Sequence, residues 1–102
     1  MALMEISVFP IGNGTSLSKY VAKAVQALEG EPGIDYELTS MGTIVQGDVD
    51  RLLEVALKLH NAVLATGAKR ISTTIKIDDR RDKPVTLTSK LTSLKKALGE
   101  RD

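Results

Sequence analysis

Residues 34–67, IDYELTSMGTIVQGDVDRLLEVALKLHNAVLATG, decide the fold. Ile34, Tyr36 and Leu38 alternate with Asp35, Glu37 and Thr39, the period of a half-buried strand. Met41-Gly42 reads as a hairpin turn, and Thr43 to Gln46 as a short partner strand. Gly47-Asp48 then leads into a helix, with Asp48 in the cap position. Val49, Leu52, Leu53, Ala56, Leu59 or His60, and Val63 form its apolar stripe. Gly67 closes it in the C′ role that favours glycine.

Working outward, residues 69–77 (KRISTTIKI) place Ile71, Thr73, Ile75 and Ile77 on one strand face and Ser72, Thr74 and Lys76 on the other. A polar loop containing Pro84 follows. Leu87, Leu91, Leu94 and Leu98 then mark a short last helix capped by Thr86 or Thr88. Upstream, residues 3–10 (LMEISVFP) alternate Met4, Ile6 and Val8 with Glu5, Ser7 and Phe9, and Pro10 ends the strand. Gly12-Asn13-Gly14 makes a turn, and Thr15 or Ser16 caps a helix whose stripe is Leu17, Tyr20, Val21, Ala24, Val25 and Leu28. Gly30, Pro32 and Gly33 stop it.

The order is β-α-β-β-α-β with a further C-terminal helix. Two crossovers of one hand joined by a hairpin give a ferredoxin-like α+β plait: a four-stranded antiparallel sheet in spatial order 4-1-3-2, with helices on one face. At 102 residues, one domain over 1–102 is expected.

Composition narrows the function classes. The chain is 42% hydrophobic and 26% charged, and 14 basic against 13 acidic residues leave a net charge of +1. That balance favours neither a polyanion nor a membrane surface. No segment has the apolar length of a membrane span, so a cytoplasmic location is the expectation. Without cysteine, disulfides, thiolate catalysis and Cys-ligated metals are out of reach. Phe9, Tyr20 and Tyr36 are the only aromatics, too few on the sheet for the base-stacking platform of an RNA-binding plait. No nucleic-acid partner is expected.

The motifs that could carry chemistry each have a plainer explanation. His60 is the only histidine and lies by an apolar stripe, where a packed, hydrogen-bonded role outweighs catalysis or metal ligation. Asp78, Asp79 and Asp82 are interleaved with Arg80, Arg81 and Lys83, which reads as a salt-bridged loop and not as a cation site. Gly12-Asn13-Gly14 could cradle an anion, yet a tight turn needs the same glycines. The run around Arg51 is superficially similar to an acylphosphatase phosphate loop, but it follows the third strand instead of the first. No catalytic set emerges, and neither a metal nor a cofactor is expected.

The informative surface is the sheet face without helices, carrying Glu5, Ser7, Phe9, Glu37, Thr39, Ser72, Thr74 and Lys76. Small hydroxyls dominate it. Two readings stand: a solvated face, or a subunit interface enclosing a polar pocket. The edge strands of a plait are also open to pairing between subunits. The pattern of Thr43 to Gln46 leaves open which of its residues point outward.

Three segments, VFPIGNGTSLSKYV (8–21), YELTSMGTIVQGDVDRLLEV (36–55) and GAKRISTTIKIDDRRD (67–82), together with the helical His60, resemble the small thiamine-binding proteins of the YkoF-like kind. The likeness runs over residues 4–82. It implies a non-catalytic plait assembled as a homodimer or homotetramer through its sheets, with a pocket for thiamine or its hydroxymethylpyrimidine portion. By position, Met41-Gly42-Thr43 matches the family hairpin and Arg70 the arginine opening its last strand. Gln46-Gly47 stands where Glu-Gly is expected, and Ser40 where proline is frequent. An aminopyrimidine edge presents a ring-nitrogen acceptor beside an amino donor, which a glutamine amide can match. The expected ligand-binding residues are Ser7, Phe9, Glu37, Thr43, Gln46, Ser72 and Thr74. The rival expectations are an oligomeric sensor of the ACT-like kind and an acylphosphatase-like enzyme.

Overall fold

The first strand, β1 (Ala2–Pro10), sets the layers through its alternation. Ala2, Met4 and Ile6 are buried under the helices, while Glu5 and Phe9 face outward and are exposed. A computed structural model describes residues 1–12, 18–82 and 87–99. After β1 come α1 (Ser18–Leu28), β2 (Asp35–Thr39), β3 (Gly42–Gly47), α2 (Val49–Leu64), β4 (Ile71–Asp78) and α3 (Ser89–Ala97). The sheet order is β2-β3-β1-β4, antiparallel throughout, which is the expected plait.

Register assigns the faces. Met4 pairs with Val45 on one side and Ile77 on the other, and Ile6 with Thr43 and Ile75. These side chains share the helix face, because directly opposed residues in antiparallel strands project the same way. Val45 meets Leu52, Val55, Ala56 and Leu59 of α2 and Leu28 of α1 in one buried cluster. Each of the valine and leucine side chains, fully buried, stabilises by about 1.5–3 kcal/mol. α1 and α2 lie over β1, β3 and β4. The edge strand β2 gains less cover, so Leu38 keeps 52% of its surface exposed although it points to the helix side.

Several local details differ from the sequence expectations. The hairpin turn is Ser40-Met41, and Gly42 belongs to β3 as the partner of Thr39. Asp48 occupies the α2 N-cap with extended backbone angles, but its side chain makes no capping hydrogen bond. It pairs instead with the Met1 ammonium at 3.9 Å. The α2 C-cap is Ala65, and Gly67, two residues further on at φ +97°, donates its N–H to the Leu64 carbonyl. The last helix starts at Ser89, so Leu87 precedes it, and its N-cap Thr88 makes no side-chain capping bond. Thr15, Ser16, Leu17, Asn13-Gly14, Lys83, Pro84 and Thr86 lie outside the described residues.

Arg51, the apparent phosphate-loop arginine, is committed to structure. Its Nε donates to the Pro32 carbonyl at 3.0 Å, and its guanidinium reaches both Glu31 and Glu54. Lys58 also pairs with Glu31, whose side chain is only 10% exposed. Hydrogen bonds from Lys58 and then Arg51 hold the Glu31 carboxyl below its ordinary value of 4.5. A carboxylate depressed in the folded state stabilises above its unfolded value and loses that contribution as pH falls through the folded one. Thermal melts below pH 4.5 should therefore show a steeper acid loss in the natural chain than in Glu31→Gln. Parallel loss in both would remove this clamp from the account of acid stability.

Candidate functional site

β1 is longer than the strand beside it. β3 ends at Gly42, the ladder between them stops at Ile6↔Thr43, and β1 runs on to Pro10 with β4 alone. The missing length leaves a notch at this end of the sheet. It is a cavity of about 340 Å³, small within the usual range for ligand sites. Val21 and Ala24 of α1 and Leu59 of α2 form its helix-side wall, and the hairpin from Leu38 to Thr43 forms its rim. Ser7, Val8 and Phe9 complete it. None of the lining residues carries a formal charge.

The backbone gives the notch its polarity. Peptide groups point alternately to the two sides of a strand. The Ile11 N–H reaches across to the Arg70 carbonyl of the β4 side at 2.8 Å. Two steps earlier Phe9 points the same way, so the Val8 N–H and C=O point the other way, past the end of β3 and toward the cavity. An adjacent donor and acceptor are thereby aimed at one place.

Local hydrogen bonds fix the rim. The Ser7 hydroxyl donates to the Met41 carbonyl at 3.0 Å. The Thr39 hydroxyl donates to the Gly42 carbonyl at 2.7 Å and accepts the Met41 N–H at 3.2 Å. Gly42 is required by contact: a Cβ there would lie 2.8 Å from Ser7 Oγ and 3.0 Å from the Ile6 carbonyl oxygen.

The expected ligand residues divide between two places. Ser7, Phe9 and Thr43 line the notch, Thr43 from the helix face and the other two from β1. Ser72 and Thr74 are exposed on β4, directly opposite Phe9 and Ser7, on the face without helices. Glu37 is exposed on that face of β2, beside Ile44. Gln46 lies at the far end of β3. Its amide nitrogen contacts Met1 Sδ at 3.4 Å, and its amide oxygen accepts the Leu87 N–H at 2.9 Å. Val21, Ala24, Leu38, Leu59 and the Val8 peptide were not among the expected site residues. The signal for them is the difference in length between β1 and β3, which becomes visible only once register is known.

The remaining motifs are occupied in ordinary ways. His60 Nδ1 lies 2.7 Å from Thr73 Oγ1, bonding α2 to β4. Arg80 pairs with Asp82 and Arg81 with Asp79. Among the described residues, no group of three or more His, Asp or Glu is placed to hold a metal ion. No described helix is long and apolar enough to cross a membrane.

The fold and the notch together define a ferredoxin-like domain with an uncharged cavity of small-molecule size. The chain belongs to the family described as Thiamine-binding protein, whose profile matches residues 4–95. It is 43% identical to the UPF0045 protein YqgV of Bacillus subtilis over 102 aligned residues, covering 96% of this chain and 98% of that one. A UPF0045 protein of Methanothermobacter thermautotrophicus is 44% identical, covering 96% of this chain and all of its own length. A crystal structure of a Methanocaldococcus jannaschii protein superposes with a TM-score of 0.80 at 35% identity, covering 98% of this chain and 97% of that one.

Proposed function

We propose that this chain is a non-catalytic, cytoplasmic binding protein for thiamine or its hydroxymethylpyrimidine portion, with the pyrimidine seated in the notch at the end of β1. The observation that carries the reading is the pairing of an uncharged, mostly apolar cavity with the Val8 peptide aimed into it. An aminopyrimidine edge offers one donor beside one acceptor, and the Val8 C=O and N–H are the complementary pair. Thr43 and Ser7 add hydroxyls on either side. The face of the Phe9 ring suits a thiazolium cation. The cavity draws on residues of both sheet faces, so a second subunit closing over the open face, as homodimer or homotetramer, would bring Glu37, Gln46, Ser72 and Thr74 into the surround. The family description supports the ligand class.

Isothermal titration with thiamine and with hydroxymethylpyrimidine tests this. Micromolar or tighter binding is expected, weakened roughly ten- to a hundredfold by Thr43→Val, the cost of about 1–3 kcal/mol for one lost buried hydrogen bond. Gln46→Ala, remote from the notch, separates the two places: a larger loss there than at Thr43 would move the ligand to the open face. No heat with either compound from folded protein would remove thiamine from the reading.

A further inference from the structure

The net charge of +1 conceals a separation of charge along the sheet. Residues 6–28, 38–47 and 55–77 supply every lining residue of the notch, and they contain no aspartate or glutamate. Carboxylates gather at the opposite end of the strands. There Asp48 meets the Met1 ammonium, Glu31 and Glu54 meet Arg51, and Asp79 meets Arg81.

Two exposed cations, Lys69 and Arg70, stand at the notch end. Among the described residues neither has an ion-pair partner, whereas Arg51, Arg80 and Arg81 each hold a carboxylate. Backbone bonding places Arg70. Its carbonyl accepts the Ile11 N–H at 2.8 Å, which carries the β1–β4 register one step past Pro10↔Ile71. The alternation that puts Ser72 on the face without helices puts Arg70 there too, as the diagonal neighbour of Phe9. Such diagonals stand about 7–8 Å apart, within reach of a long side chain. A guanidinium that holds no carboxylate thus stands beside the aromatic ring of the notch.

We propose that the site takes its ligand as a phosphate ester, with the phosphate held by Arg70 and Lys69 outside the mouth of the notch. The inference rests on the notch reading above and names the form of the ligand. Thiamine carries a hydroxyethyl group on its thiazolium ring, and a phosphate added there brings about −1.5 to −2 of charge at pH 7. With the pyrimidine in the uncharged cavity and the thiazolium over Phe9, that arm can turn toward the Arg70 corner. Free thiamine would bring a cation to a corner that already holds two and has no carboxylate to offset them. The ester brings its own counter-charge. Guanidinium–phosphate hydrogen bonds are charge-assisted and commonly bidentate, which fixes orientation as well as affinity.

Isothermal titration at low salt with thiamine, thiamine monophosphate and thiamine diphosphate tests this. The monophosphate should bind about tenfold tighter than thiamine, and the gap should narrow as salt rises. Arg70→Gln should remove most of that gap while leaving thiamine bound as well as before or better. A merely structural role for Arg70 would weaken both compounds together and would overturn the inference. Arg80→Gln, at the far end and paired with Asp82 in the natural chain, should keep the full preference. An equal loss of preference in Arg80→Gln would overturn it as well, by assigning the effect to net charge. Inorganic phosphate binding as tightly as the monophosphate would do the same, by detaching the anion site from the notch. Thiamine bound as tightly as its monophosphate would overturn the inference and leave the notch reading standing. Failure of all three compounds to bind folded protein would end both.

Discussion

Ala24→Phe is expected to abolish ligand binding while leaving the protein folded. Ala24 sits on the helix-side wall of the notch, partly exposed, with the cavity in front of it. Ala24 also rests against the buried cluster around Leu52 and Val45, so an overpacking cost of about 1–3 kcal/mol is expected beside the filling of the cavity. The ring occupies the volume a pyrimidine would need. A fall in affinity of at least about a hundredfold should follow, equivalent to roughly 2.7 kcal/mol. Titration beside a thermal melt reads both quantities. Unchanged affinity in a folded variant would mean that the notch is not where the ligand sits.

Gly42→Ala should damage stability and binding together. The added methyl meets Ser7 Oγ and the Ile6 carbonyl at distances that require a shift, and a backbone carbonyl in a central strand gives little. The hairpin must then pull away from β1, breaking the Ser7 bond to Met41 that fixes the rim. A loss of about 1–3 kcal/mol in denaturant unfolding is expected, within the range for overpacked sites. Binding should fall as well, because Thr43, Ser7 and the Val8 peptide lose their mutual placement. Wild-type stability in Gly42→Ala would show that the hairpin tip is free to move and does not define the cavity.

The two variants probe what the sequence made legible and what it did not. Period-two alternation in LMEISVFP and ISTTIKI, and the 3.6-residue stripe of α2, declare the order of elements and even the faces: Glu5, Ser7, Phe9, Ser72, Thr74 and Lys76 do share the open side. Thr43–Gln46 carries no such alternation, since Ile44 and Val45 are both apolar. Nothing in the residues alone tells which of Thr43 and Gln46 faces the helices. The turn followed the glycine in expectation, whereas Gly42 is demanded by the approach of Ser7 and turns nothing. Asp48 has the right chemistry for a cap and the right backbone, yet its carboxylate lies toward the amino terminus. The cavity was the least legible feature, because it is made by the difference between two strand lengths and by which strands the helices cover. The leucines of α3 announced a helix but not that its own chain would leave it uncovered.

The position of β1 has a consequence for how the chain comes into being. It is an inner strand, hydrogen-bonded to β3 on one edge and to β4 on the other, and its last ladder partners are residues 71–78. A chain emerging from the ribosome at about 5–20 residues per second presents β1 first and must wait for nearly four-fifths of the sequence before that strand is enclosed. β3 can close one edge once residues 42–47 are made, but the other edge stays open until β4 follows. Loop closure across some sixty residues is entropically costly and delays folding until those distant contacts can repay it. Among the described residues β4 has no sheet neighbour except β1, so the first strand made completes its pairing only when the last strand has been made.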